Sequence, residues 1–214
     1  MKYIPILLLF VITSSNLSYS QFRIETNFNS VHIGRNQSLL ISYKIKKLQI
    51  GLGVKYNFNK LVNFPQNNIY KKTFYAITDS EHWGMELNLK YQIFNKKDVF
   101  FIHLFLNSQY TKSHIRHEAY LAIGQLVPNP TSELDYVYIK HINYIGPIIA
   151  LENNFGLAFD FYLSEKIYLT QKFGVGMVFF KNLDKNTIIA GDGDWELSEM
   201  LSFGVGYQFN KKRK

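Results

Sequence analysis

What most constrains this chain is an alternation of apolar and polar residues with a period of two, repeated along almost its whole length. Leu48, Ile50, Leu52, Val54, Tyr56 and Phe58 share one parity, against Gln49, Gly51, Gly53, Lys55 and Asn57. Trp83, Met85, Leu87, Leu89, Tyr91 and Ile93 repeat the pattern, against Gly84, Glu86, Asn88, Lys90 and Gln92. Successive side chains of a strand point to opposite faces, so such runs predict strands with one apolar and one polar side. Eight strands are predicted near 22–33, 36–46, 47–57, 83–94, 98–110, 148–163, 166–181 and 195–209. In the first, Phe22, Ile24, Thr26 and Phe28 lie on one parity and Val31 and Ile33 on the other, which predicts a bulge.

The connections alternate in length. Lys46–Lys47, Asn95–Lys97 and Ser164–Glu165 are tight, whereas 58–82, 111–147 and 182–194 are long. The long loops therefore gather at one end, as in barrels with short periplasmic turns and longer extracellular loops. A ten-stranded variant is the alternative, with 115–126 and 134–144 as a further hairpin; the preferred reading makes them extensions of the fifth and sixth strands. Pro147 argues for a break there, because it cannot donate to a ladder.

Alternation does not say which face looks inward. The polar face is rich in small residues (Gly51, Gly53, Gly84, Gly174, Gly176, Ser202, Gly204 and Gly206), as the narrow interior of an eight-stranded barrel requires. It also carries both charge signs, in Glu25, Lys44, Lys55, Glu86, Lys90, Asp160 and Lys172, an expected interior polar network. Aromatic residues collect near the ends of the apolar faces: Tyr56, Phe58, Trp83, Tyr91, Phe161, Phe179, Trp195, Tyr207 and Phe209. That distribution suits the boundary between hydrocarbon and headgroups. The apolar face is therefore read as lipid-facing. A lipocalin-like soluble carrier is the alternative if it instead lines a cavity.

Residues 1–20 have the form of a cleaved signal peptide: Lys2, an apolar run from Ile4 to Ile12, then Ser18 and Ser20 before a cut at Gln21. Residues 21–214 then form a single barrel domain. With no Cys there is neither a disulfide framework nor a thiolate metal site. Of the net charge of +8, Lys2 contributes one and Lys211, Lys212, Arg213 and Lys214 four, so the remaining chain carries +3. That tail reads as a solvated terminus beside anionic lipid, and nothing here resembles a nucleic-acid module.

The last strand ends in Tyr207–Gln208–Phe209, an aromatic-x-Phe pattern that resembles the C-terminal signal read by the barrel-assembly machinery. Five residues follow it, whereas the family usually stops at the Phe. With the signal peptide and the alternation, the chain resembles small outer-membrane β-barrels of the OmpA/OmpX type, and uncharacterised barrel proteins of Bacteroidetes-like bacteria. The resemblance implies a closed antiparallel up-and-down transmembrane β-barrel in the outer membrane of a Gram-negative bacterium. It implies as partners outer-membrane lipids (lipopolysaccharide and phospholipid) and, during biogenesis, the assembly machinery acting on Tyr207 and Phe209. It carries over no active site.

Candidate chemistry is sparse. His114 and His117 are three apart, with His82 and His141 in other long-loop regions (58–82 and the far part of 111–147), but zinc needs four well-placed ligands, so no metal or cofactor is expected. Gly191–Asp194 reads as a turn. His103 falls on the inward parity, where Asp160, Glu86 or Glu152 could orient it; no Ser-His-acid spacing completes a triad. The expected function is a non-enzymatic integral barrel with a side-chain-filled interior and loops for surface interaction or envelope maintenance. The alternative is a membrane-embedded enzyme acting on lipid A or phospholipid. No ligand is identified, and the long links are where binding groups are sought.

Overall fold

A computed structural model of the chain describes residues 20–58, 74–126, 135–183 and 195–209. The alternating runs form the strands β1 (Ser20–Ser30), β2 (Arg35–Ile45), β3 (Leu48–Asn57), β5 (Trp83–Lys96), β6 (Phe100–Gln125), β7 (Tyr136–Tyr162), β8 (Ile167–Asn182) and β9 (Trp195–Gln208). Between β3 and β5 lie a two-residue strand, β4 (Phe74–Tyr75), and one helical turn, α1 (Asp79–His82). Each long strand pairs antiparallel with its neighbours, and β1 pairs with β9, so eight strands close into an up-and-down barrel. Closure leaves no edge within the wall, and every strand there has a neighbour on both sides.

Pairing also fixes the stagger. From Thr26 the partners run through Leu39, Val54, Met85, Tyr110, Leu151 and Phe179 to Trp195, yet Thr26 itself pairs with Val205, ten residues further along β9. Such a shear means that the strands tilt by roughly 40° to the barrel axis.

Tight turns stand at one end, at Lys46–Lys47, Lys97–Val99 and Leu163–Lys166. Lys46, Lys97 and Asp98 take φ of 54°, 52° and 56°, the left-handed conformation that sharp reversal imposes. Asn95 and Asp98 secure their turn: Asn95 Nδ2 donates to Asp98 Oδ1 (2.9 Å), and Asp98 N–H donates to Asn95 Oδ1 (3.0 Å).

Two expectations are corrected, and the preferred reading of 115–126 and 134–144 as extensions of the fifth and sixth strands is met. The parity change in the first strand is not a bulge. β1 ends at Ser30, and Val31 and Gly34 close a turn by exchanging backbone hydrogen bonds of 2.9 and 3.1 Å. Parity is lost at the turn, and Val31 and Ile33 fold inward over the lumen. Pro147 does not break its strand. β7 runs through it, at a register shift opposite Ser113–Ile115 where a missing N–H costs no ladder bond, and the Pro147 carbonyl accepts from Leu183 N–H. Most of 111–147 is therefore not an irregular loop: β6 and β7 continue as a paired ribbon beyond the wall, with Arg116 opposite Tyr144 and Tyr120 opposite Lys140. These residues extend the two strands rather than adding a ninth and tenth to the barrel. Residues 1–19 of the signal peptide expected over 1–20, the turn expected at Gly191–Asp194 and the basic tail lie outside the described residues.

Candidate functional site

Inward and outward faces follow parity throughout the wall. The odd residues of β1 from Arg23 to Asn29 and most even residues of β9 from Ser198 to Gln208 are buried, whereas their neighbours Phe22, Phe28, Phe203 and Val205 are exposed. Among the described residues the wall strands carry into the lumen four cations (Arg23, Lys55, Lys90, Lys172) and four carboxylates (Glu25, Glu86, Glu152, Asp160), all at most 2% exposed, and Glu81 on α1 is as deeply buried beside the cap. Balance matters here, because an unpaired buried charge is costly whereas a paired and hydrogen-bonded one persists.

Near the short turns the charges converge. Lys90 Nζ donates to Glu25 Oε2 (2.9 Å), Asp160 Oδ1 (3.3 Å) and Thr170 Oγ1 (3.1 Å). Lys172 Nζ lies 2.8 Å from the other Glu25 oxygen, and the Tyr168 hydroxyl donates to Glu25 at 3.1 Å. The second Asp160 oxygen faces His103 Nε2 at 3.2 Å and Arg23 Nη1 at 3.7 Å. Arg23 spreads its fork further, to Gln49 Oε1 (2.8 Å) and Gln208 Oε1 (2.9 Å), with Tyr168 stacked 5.2 Å from the guanidinium. One network thus ties β1, β3, β5, β6, β7, β8 and β9 together across the barrel.

Space for these groups comes from glycine. A Cβ on Gly206 would stand 2.1 Å from the Tyr168 ring, and one on Gly84 would stand 2.6 Å from Lys55 Cε. The inward glycines are therefore the complement of the large buried side chains, as close packing of a narrow interior demands.

Towards the long connections the lumen is organised by amides. Lys55 Nζ donates to Gln109 Oε1 (2.9 Å), which also accepts from Asn36 Nδ2 (3.0 Å). Among the described residues Lys55 makes no ion pair. Glu86 accepts from Asn107 Nδ2 (2.6 Å), and Glu152 accepts from His32 N–H (3.0 Å), Asn154 Nδ2 (3.3 Å) and the Ser198 hydroxyl. Above them Ile33, Phe74, Ile148, Ala150, Val178 and Phe180 form an apolar cap, with Phe74 stacked on Phe180. At the rim of that cap His114 Nδ1 lies 2.7 Å from Glu81, and His32 Nε2 lies 2.6 Å from Glu196.

Of the seven residues expected in an interior network, Glu25, Lys90, Asp160 and Lys172 meet directly, whereas Lys55 and Glu86 belong to the amide layer. Lys44 stands apart, half-buried near the short turns, donating to Gln92 Oε1 at 2.8 Å beside the Phe101 ring. Arg23, Tyr168 and His32 are additional members. Arg23 and Tyr168 were detectable by parity, since each sits on the buried register of its strand, but a tyrosine there runs against the expectation that Tyr belongs at the membrane boundary. Of the loop histidines, His82 Nδ1 meets the Asn57 carbonyl at 3.0 Å, and among the described residues no group of three metal-ligating side chains converges.

The outer surface is the inverse of the lumen. Leu197 is 74% exposed, Met85 64%, Leu52 62% and Phe155 62%. Allowing for the stagger, Tyr56, Phe58, Trp83, Tyr110, Phe179 and Trp195 come to one level near the long connections. Phe22, Tyr43, Tyr91, Phe161, Tyr207 and Phe209 form a second ring near the tight turns. Roughly ten residues of tilted strand separate the rings, roughly 25 Å, which matches the height of the apolar band on transmembrane barrels.

No family model matches the chain, and no curated protein matches it. Among solved structures it is similar to a major outer membrane protein of Thermus thermophilus, at 11% identity and a TM-score of 0.44, covering 89% of this chain and 99% of that one. It is similar to the N-terminal β-barrel domain of Pseudomonas aeruginosa OprF, at 12% identity and a TM-score of 0.42, covering 88% and 97%. Neisserial surface protein A gives 14% identity and a TM-score of 0.39, covering 89% and 96%.

Proposed function

We propose that the chain is an integral outer-membrane barrel whose sealed, charge-balanced lumen serves as scaffold and whose long connections face outward for interaction at the cell surface. The observation that carries this reading is the inversion of polarity: paired ions inside, and a predominantly apolar belt between two aromatic rings outside, interrupted at Gln171 and Glu199. A water-soluble barrel reverses this arrangement, because exposing so much aliphatic surface forfeits roughly 25 cal/mol for every Å² left in water. Lipid contact removes that penalty, and closure leaves no strand edge to the hydrocarbon.

The reading is non-enzymatic. Its support is that His103 and Asp160, the pair closest to a catalytic arrangement, are buried among Arg23, Lys90 and Phe101, away from lipid. Export through residues 1–20, assembly through Tyr207 and Phe209, and contact with lipopolysaccharide and phospholipid belong to the same proposal. In support of the assembly signal, both residues are exposed on the outer face of the closing strand, their rings 4.9 Å apart.

The test is fractionation of expressing cells, followed by gel migration with and without heating. The protein is expected in the outer-membrane fraction and is expected to shift mobility only after boiling. Recovery in the soluble fraction without detergent overturns the proposal.

A further inference from the structure

The tight-turn end of the barrel carries a positive charge that its own turns leave unbalanced. Lys46 and Lys47 form the first turn, Lys96 and Lys97 open the second, and Lys166 ends the third. All five are exposed, and their side chains make no hydrogen bond or ion pair among the described residues. Against these lysines the same turns hold two acids: Asp98, which is engaged with Asn95, and Glu165.

Two of the lysines stand where the backbone disfavours them. Lys46 and Lys97 take φ of 54° and 52°, the left-handed region where Cβ crowds the chain and glycine or asparagine is preferred. Turn geometry therefore does not select lysine at these positions. What the turns face has to account for the charge.

Depth says what that is. Counted along the ladders, the lysines lie one to four positions beyond the aromatic ring at this end: Lys46 past Tyr43, Lys96 past Tyr91, and Lys166 past Ile167, the partner of Tyr207. That is no more than roughly 10 Å along the axis. With the ring at the edge of the hydrocarbon, the ammonium groups stand among headgroups, their stems covering apolar surface and their charges in water. Successive turns are two strands apart, roughly 10 Å, so the lysines are spread around the rim and do not form one patch. A spread of single charges suits many small anions better than one large acidic ligand. Among lipids, a zwitterionic headgroup brings its own cation to the phosphate and an anionic one does not, so unpaired ammonium groups discriminate between them. Resting on the lipid-facing reading above, we infer that the tight-turn rim is a binding surface for anionic phospholipid, its five lysines selecting net-negative headgroups from the leaflet they face.

A tryptophan in the tight-turn ring reads which lipids touch it. Tyr91→Trp, in a Trp83→Phe and Trp195→Phe background, is reconstituted full-length into vesicles of brominated phosphatidylcholine. Unbrominated phosphatidylglycerol is expected to relieve the quenching at least about threefold more effectively, mole for mole, than unbrominated phosphatidylcholine. The rim variant combines Lys46→Asn, Lys97→Asn, Lys47→Gln, Lys96→Gln and Lys166→Gln. Asparagine suits the two left-handed positions, so this variant is expected to keep its mobility shift on heating while the preference falls to about one. Lys112→Gln with Lys181→Gln, on the outward parity near the opposite ring, is expected to leave the preference unchanged. On the unaltered rim, raising salt from about 0.05 M to about 0.5 M is expected to erode it. Equal displacement by the two lipids, a preference indifferent to salt, or one that survives loss of all five lysines overturns the inference and leaves the barrel in the membrane. Lysine-dependent sedimentation with purified peptidoglycan, without any lipid preference, gives the rim to an acidic wall polymer and overturns it as well. Absence of quenching by brominated lipid, with no mobility shift, overturns the membrane reading itself, and the lipid rim falls with it.

Discussion

In the half of the lumen nearest the tight turns, Lys90 bridges Glu25 and Asp160, and three further cationic or ionisable groups close around them. In the half nearest the long connections, Lys55 binds a neutral amide, and Glu86 and Glu152 are held by Asn, Ser and backbone donors. Both halves are equally buried, so burial alone does not dictate ion pairing. The difference lies in what each ion would lose with its neighbour: removing one member of a converged cluster strands opposite charges in contact with it, whereas removing Lys55 strands an amide in contact and only the more distant charges of Glu86 and Glu152.

That difference orders the effects of substitution. Lys90→Met is expected to be the most damaging single change. It leaves Glu25 and Asp160 short of a cation and so destabilises by about 3–5 kcal/mol, read as urea-induced unfolding of the barrel in lipid vesicles. Next comes Gly206→Val, where the added side chain meets the buried Tyr168 ring and displaces the hydroxyl that serves Glu25. Overpacking of this kind costs about 1–3 kcal/mol, and pairing it with Tyr168→Phe tests whether the ring or its hydroxyl matters. Lys55→Met removes a hydrogen bond to Gln109 and the more distant attraction of Glu86 and Glu152, but no contact ion pair, with an expected loss of about 1–3 kcal/mol. If Lys55→Met proves as damaging as Lys90→Met, the contrast between the two layers is wrong. Smallest is His114→Ala at the rim of the cap, where Glu81 keeps the hydrogen bond from Ile77 N–H, with an expected change of about 1 kcal/mol by the same measurement.

Much of this barrel was legible as parity. Leu48 to Phe58 and Trp83 to Ile93 read as strands because lipid outside and a polar lumen inside give opposite demands to successive residues, and the chain answers each one. The inward set that includes Glu25, Lys90 and Asp160 followed from the same rule. Parity fails where the backbone leaves the wall. At Val31–Gly34 the turn resets it, so two apolar residues out of step with their strand cover the lumen instead. It is also silent on register. Nothing in the order of residues says that Arg23 reaches Gln208 and Gln49, or that Lys90 meets Asp160 while Lys55 meets Gln109; those partners follow from a ten-residue stagger that only pairing between distant strands sets. Pro147 misled for a related reason, since its missing N–H is harmless at a register shift that the local sequence does not announce.

The orientation of the two faces can be read from the protein's own fluorescence. Its only two tryptophans, Trp83 and Trp195, both stand on the outer face in the ring nearest the long connections, 55% and 56% exposed. In vesicles of brominated phospholipid, bromines high on the acyl chains are expected to quench both strongly, bromines near the chain ends less, and aqueous iodide hardly at all. Quenching by iodide with no response to bromine at any depth would contradict a lipid-facing belt.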